Sequence, residues 1–212
     1  MITDKKIELV ALSALDGGAK LRFHLKITQA GEVKSEVLFA FAARLSRIPR
    51  VGVLSEQAYE ELSFEHRYGV ALDVGLRVLG SGSYSRRQLV QKLCQRGIEK
   101  EIANGVTDEL WTRGYGNEID GALALARRNL LKLWGDRRIL LDARAKGYDD
   151  VAIEAVAQML QKEDAVARCA KLITKRYGPC PEDASARRRF VAALVRYGYT
   201  SQEIKAALKN NR

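Results

Sequence analysis

Cysteine, proline and histidine are scarce in this 212-residue chain, at three, three and two residues. Cys94, Cys169 and Cys180 are odd in number, far apart and without a CxxC pair. That excludes a disulfide framework and a zinc ribbon, and it fits a reducing compartment. No stretch reaches the roughly 18 apolar residues a spanning helix requires. Lys5 and Lys6 precede apolar residues much as in a secretory leader, but Glu8 and Asp16 interrupt the run and no long apolar core follows. The expected location is the cytoplasm, with no membrane partner. Aromatics amount to 7% and form no RNP-like motif.

Catalytic constellations are equally thin. His24 shares a strand face with Lys20, Arg22 and Lys26, and His66 stands in Glu65-His66-Arg67 at an expected helix start. Both read as solvated surface histidines. Gly80-Ser81-Gly82-Ser83 lacks the Gly-Lys-Ser/Thr ending of a P-loop and follows a helix instead of a strand, so it reads as an interhelix turn. Cys169 and Cys180 have no neighbouring residues to complete a metal site. No catalytic, cofactor-binding or metal residues are assigned, no cofactor is expected, and the chain does not read as an enzyme.

Charge is what the sequence has in excess. Hydrophobic residues at 47% and charged residues at 29% describe a globular chain, and 36 Lys and Arg against 26 Asp and Glu leave a net charge of +10. Such a balance favours a polyanionic partner. Residues 1–65 hold nine basic and nine acidic residues, so the entire excess lies beyond Glu65.

The structural pattern changes at about the same place. In Lys20-Leu21-Arg22-Phe23-His24-Leu25-Lys26-Ile27 apolar residues alternate strictly with basic ones, the period of a half-buried strand. Turn signals at Asp16-Gly17-Gly18 and Gln29-Ala30-Gly31-Glu32 separate it from strands over residues 7–12 and 33–41. The expectation is an antiparallel sheet of about three strands, a short helix over 42–47, and a second one capped by Ser55 over 59–62. Beyond Glu65 apolar residues recur every three or four positions, and proline is absent until Pro179. That part reads as helices.

Those helices repeat. Gly97, Gly147 and Gly198 are 50 and 51 residues apart. Ten positions before each stands Arg87, Arg137 or Arg188, eight before stands Leu89, Ile139 or Phe190, and one after stands Ile98, Tyr148 or Tyr199. Each glycine is expected to end a helix in the left-handed conformation. Glu99, Asp149 and the capping box Thr200-x-x-Glu203 then start the next one. Longer helices precede each block at about 67–79, 118–133 and 163–176. The expected fold is mainly α: three tandem three-helix repeats (66–115, 116–162 and 163–212) in an elongated, curved array, behind a small β-rich module (1–65).

The recurrent arginines stand where a helix disfavours cations, because the positive end of the macrodipole makes a first-turn cation cost about 0.3–1 kcal/mol. Arg86, Arg138, Arg187 and Arg189 reinforce Arg87, Arg137 and Arg188. An anionic partner would offset that cost, as would a carboxylate from a neighbouring helix. Lys92 and Arg96 extend the same surface in the first repeat, Arg127, Arg128 and Lys132 in the second, and Lys171, Lys175 and Arg176 in the third. Leu130, Leu133 and Trp134 read as core and repeat-interface residues.

Several of these motifs carry a family resemblance. Ser85-Arg86-Arg87-Gln88-Leu89-Val90-Gln91-Lys92-Leu93 with Gly97-Ile98 resembles the first-repeat motif of the RecX regulatory proteins. Gly114-Tyr115-Gly116-Asn117-Glu118 with Ala122, Gly135 to Ile139 with Lys146-Gly147-Tyr148, and Arg187 to Phe190 with Tyr197-Gly198-Tyr199 resemble the later repeats. The likeness covers residues 66–210, and the β-rich segment resembles an extension carried by some members. Two positions depart from it: Gly121 stands where the family has an aromatic residue, and Asn117 replaces an aspartate. The resemblance implies a monomeric, non-enzymatic modulator of the RecA recombinase. It would lie along the RecA–DNA filament, restraining ATP hydrolysis and strand exchange, and the basic residues above would meet RecA or single- or double-stranded DNA. Two other readings stay open: a direct DNA-binding protein built of helix-turn-helix-like pairs, and a helical adaptor without a nucleic-acid role.

Overall fold

The computed structural model describes residues 5–210. Strands β1 (Lys6–Leu15), β2 (Lys20–Gln29) and β3 (Glu32–Phe41) form an antiparallel meander. The two-residue β4 (Gly52–Val53) pairs with β1, giving the order β3-β2-β1-β4. The alternation read in β2 sends Leu21, Phe23 and Leu25 to a buried face with Ile7, Leu9, Leu38 and Ala40, and Leu54 and Leu62 complete that core. Ala30 and Gly31, at φ 52° and 82°, make the two-residue turn between β2 and β3. Positive φ at both positions is the geometry that matches the strand twist. β4 escaped the sequence pattern because both of its residues are exposed. The helix expected over 42–47 is a single 3-10 turn, Ala42–Arg44, since six residues ahead of Pro49 are too few to nucleate an α-helix.

Helix α1 (Glu56–Gly80) begins at Ser55, whose hydroxyl accepts the Ala58 amide at 3.2 Å. The separate helices read before and after residue 65 are therefore one, and the boundary at 65/66 falls inside it. Glu65-His66-Arg67 looked like a helix start because polar residues cluster there, yet the sheet side supplies partners for Glu65 and His66. Arg44 donates to the buried Glu65 carboxylate at 2.5 Å, and His66 Nδ1 accepts the Phe39 amide at 3.2 Å. His66 is thus half-buried and hydrogen-bonded, not a solvated residue.

The remaining helices are α2 (Arg86–Cys94), α3 (Lys100–Thr112), α4 (Glu118–Leu131), α5 (Asp136–Ala145), α6 (Asp150–Leu160), α7 (Ala165–Arg176), α8 (Ala184–Arg196) and α9 (Ser201–Asn210). Among the described residues no strand follows Val53. Gly97, Gly147 and Gly198 take φ of 81°, 78° and 97°. After each, the next amide reaches back to the helix: Ile98 to Leu93, Tyr148 to Ala143 and Tyr199 to Leu194, at 3.2–3.3 Å. This is the Schellman ending at all three glycines. Asp149 caps α6, and Thr200 and Glu203 exchange the two bonds of a capping box at α9.

Contacts divide the chain into two compact units. The first takes residues up to Arg77 with Leu93–Val106, and the second takes Val78–Lys92 with everything from Thr107 on. In the first, Gly105 of α3 lies against the Tyr68 ring of α1. In the second, one core gathers Ala122, Leu125, Ile139, Ala143, Ile153 and Val156 from α4, α5 and α6. Another gathers Leu172, Ile173, Phe190, Leu194, Ile204 and Ala207 from α7, α8 and α9. The Tyr148 ring and hydroxyl come to 3.1 Å from where a Gly121 side chain would begin. Tyr148 therefore fills the volume that an aromatic residue at position 121 would occupy.

Candidate functional site

The start of α2 is held from three sides. Ser85 Oγ accepts the Gln88 amide and Gln88 Oε1 accepts the Ser85 amide, both at 3.1 Å. The same hydroxyl donates to the Lys146 carbonyl at 2.6 Å, and Glu118 accepts the Arg86 amide at 2.6 Å. Arg87 lays its aliphatic stem over Gly147, where any side chain would collide with it. Fifty residues later the arrangement recurs at α5. The Gly135 amide donates to the Tyr197 carbonyl at 2.7 Å, Arg138 covers Gly198, and the Gly135 and Gly198 backbones leave no room for a Cβ on either. Arg168 donates to the Trp134 carbonyl at 2.9 Å and pairs with Asp136.

Glu118 and Arg86 thus correspond, 50 positions on, to Arg168 and Asp136, with the charges exchanged. Each junction places a carboxylate at the positive end of a helix. Burial pushes the Glu118 carboxyl up, against the Arg86 amide that draws it down. Asp136 is likewise raised by burial, with Arg168 opposing. The sequence signal for Arg168 is its 50-residue offset from Glu118.

The basic candidates divide into two groups. Arg86 pairs with Asp108 at 2.7 Å and stacks 5.4 Å from the Trp111 ring. Lys92 lies 4.6 Å from the Tyr84 ring. Arg96, Arg127, Arg128, Arg137, Lys171, Lys175, Arg187, Arg188 and Arg189 are exposed. Lys132 sits 5.1 Å and Arg138 3.8 Å from the Trp134 ring. Arg138 is also 5.4 Å from the Tyr197 ring, and Arg176 donates to the Tyr197 hydroxyl. The structure so brings Lys132, Trp134, Arg138, Tyr197 and Arg176 into one ladder of alternating cations and rings. Sequence reading missed it because the members come from three separate stretches, 132–138, 176 and 197. Arg127, Arg128, Lys132, Arg137, Arg138, Lys175, Arg176 and the arginines at 187–189 have no carboxylate within ion-pair distance among the described residues. Arg188 differs from Arg87 and Arg137 in one respect: Asp183 caps α8 a turn earlier, so Arg188 lies in the second turn.

Burial pushes the Cys169 thiol up to about 11, which leaves it protonated and unreactive at neutral pH. Among the described residues no three His, Cys, Asp or Glu side chains are grouped to hold a metal ion, and no helix is long and apolar enough to cross a membrane.

No family model matches the chain. It is 30% identical over 135 residues to the regulatory protein RecX of Xanthomonas axonopodis pv. citri, an alignment spanning 63% of this chain and 83% of that one. The RecX protein of Herminiimonas arsenicoxydans is 25% identical over 134 residues, 63% of this chain and 87% of that one. A crystal structure of regulatory protein RecX superposes with a TM-score of 0.69 at 16% identity, covering 96% of this chain and 99% of the other. So wide a match takes in the N-terminal sheet as well as the helices. RecX from Lactobacillus salivarius superposes over 68% of this chain and 96% of its own, at 18% identity and a TM-score of 0.57. With the sequence alignment covering more than four-fifths of a relative's length, the chain belongs to the RecX family of regulatory proteins.

Proposed function

We propose that this chain is a non-enzymatic regulator that binds the RecA–DNA filament and restrains its ATP hydrolysis, strand exchange and SOS activity. The observation that carries the reading is the set of exposed cations without carboxylate partners on a member of the RecX family. The chain satisfies its helix junctions with Glu118, Asp136 and Arg168 and leaves Arg127, Arg128, Arg137 and Arg187–Arg189 free for an anionic surface. In this reading the helices act as three tandem three-helix repeats, as a cytoplasmic monomer without cofactor. The test adds the protein to RecA assembled on single-stranded DNA and follows ATP hydrolysis. Inhibition at substoichiometric levels means growth blockage, and inhibition near saturation means groove coating. No change in hydrolysis rejects the proposal. Direct DNA contact is the second reading, favoured by the ladder of Lys132, Trp134, Arg138, Tyr197 and Arg176, since cations interleaved with rings suit single strands. Binding to DNA alone with a steep salt dependence distinguishes it.

A further inference from the structure

The N-terminal segment, residues 1–65, is neutral in total and polarised in detail. Lys20, Arg22 and His24 alternate with the buried Leu21, Phe23 and Leu25, so they share the opposite face of β2. Across the pair from them stand Phe41, Phe39 and Val37 of β3. Lys20 lies 5.7 and 5.6 Å from the Phe39 and Phe41 rings, and Arg22 5.5 Å from Phe39. Arg22 Nε is buried without a hydrogen-bond partner. Four acids of this segment have partners of their own. Glu36 accepts the Tyr59 hydroxyl, Glu61 the Ser46 amide and Glu65 the Arg44 guanidinium, while Glu8 pairs with Lys6. Glu8 faces Lys26, at the end of the row away from Lys20.

We propose that this face is a binding surface for single-stranded DNA, separate from the helical cations. Alternate residues of a strand stand about 6.8 Å apart, so Lys20, Arg22, His24 and Lys26 form a linear rail that can follow one phosphodiester chain. The phenyl rings and Val37 beside the rail are apolar groups for unpaired bases to cover. A duplex keeps its bases inside and has nothing to offer that strip. A Cβ at Gly69 of α1 would stand 4.0 Å from the Phe41 ring, and the Phe39 and His66 ring centroids are 6.0 Å apart, so the helix lines the Phe41 and Phe39 end while Val37 stays exposed. The surface does not depend on the filament reading, because its test contains no RecA.

The experiment uses the full chain with a thymidine oligonucleotide. The triple change Lys20→Gln, Arg22→Gln and Lys26→Gln should flatten the slope of log affinity against log salt by about 2, at roughly 0.7 per cation for a single strand. Arg50→Gln in the same segment should leave the slope unchanged. Photocrosslinking of the unaltered chain to an iododeoxyuridine oligonucleotide keeps the idea testable if the triple variant unfolds. The crosslinks should fall in the tryptic peptide 35–44, which carries Phe39 and Phe41. An unchanged slope in a folded triple variant, crosslinks confined to residues 86–210, or equal affinity for a duplex of the same length would each overturn it.

Discussion

Glu118 shows how a single buried side chain sets a pH dependence. Its carboxyl is raised above the ordinary 4.5 chiefly by burial. A raised acid binds its proton more tightly folded than unfolded, so its contribution to stability is present at low pH and is lost as pH rises through the folded value. Gln at 118 keeps an acceptor for the Arg86 amide and has no charge to desolvate. Urea unfolding should therefore find E118Q gaining on the parent protein between pH 4 and pH 7. The opposite trend would mean that the Arg86 amide outweighs burial. Ala30 offers a simpler case: an alanine at φ 52° in a two-residue turn is strained by about 1 kcal/mol. Ala30→Gly or Ala30→Asn should raise the melting temperature. A fall would show that this turn is not what limits the hairpin.

Helix α2 is short, strongly basic at its start and dependent on what meets its first turn. Ser85 supplies both a cap bond to Gln88 and a bond to the Lys146 carbonyl of another helix pair. Removing the hydroxyl forfeits the cap, worth about 1 kcal/mol, and leaves a half-buried carbonyl short of a donor, at the lower end of about 1–3 kcal/mol. Ser85→Ala should lower unfolding stability by roughly 2–3 kcal/mol. A loss within about 0.5 kcal/mol, the range of ordinary surface changes, would show that solvent replaces both bonds. At the equivalent junction of α5 the donor is the Gly135 amide, which no side-chain substitution removes. Two chemically different bonds thus serve one position in the two blocks.

For the molecule as a whole the useful contrast lies between paired and unpaired cations. Arg168 is buried and its partner Asp136 half-buried, so removing one of them costs up to the about 3–5 kcal/mol of a fully buried pair. Arg127, Arg128 and Arg137 are exposed and unpaired among the described residues. Their joint replacement by Gln should leave stability within about 1 kcal/mol and, under the proposed function, weaken inhibition of RecA ATP hydrolysis. Calorimetry and the ATPase assay on the same preparation separate the outcomes. Lost inhibition with an unchanged melting temperature supports a binding role, and unchanged inhibition removes these three residues from the interface. Arg87 is a poorer choice for such a test, because its stem also packs on Gly147.

Local rules made much of this legible in advance. Alternation in β2 announces which side chains enter the core, and the glycines at 97, 147 and 198 announce where helices end. Both are properties of a few consecutive residues and need no distant partner. What the chain could not declare by itself is everything that depends on segments meeting. α1 runs unbroken through Glu65-His66-Arg67 because Arg44 and the Phe39 amide lie beside it. Arg168 is buried because Asp136 and the Trp134 carbonyl await it. The cation–ring ladder and the placing of Phe39 and Phe41 beside the basic face of β2 exist through packing and strand register, which bring residues from separate stretches of sequence within a few ångströms. Hydropathy and turn chemistry act over a turn or two of chain, whereas charge pairing and burial are settled by whichever groups the fold places opposite one another.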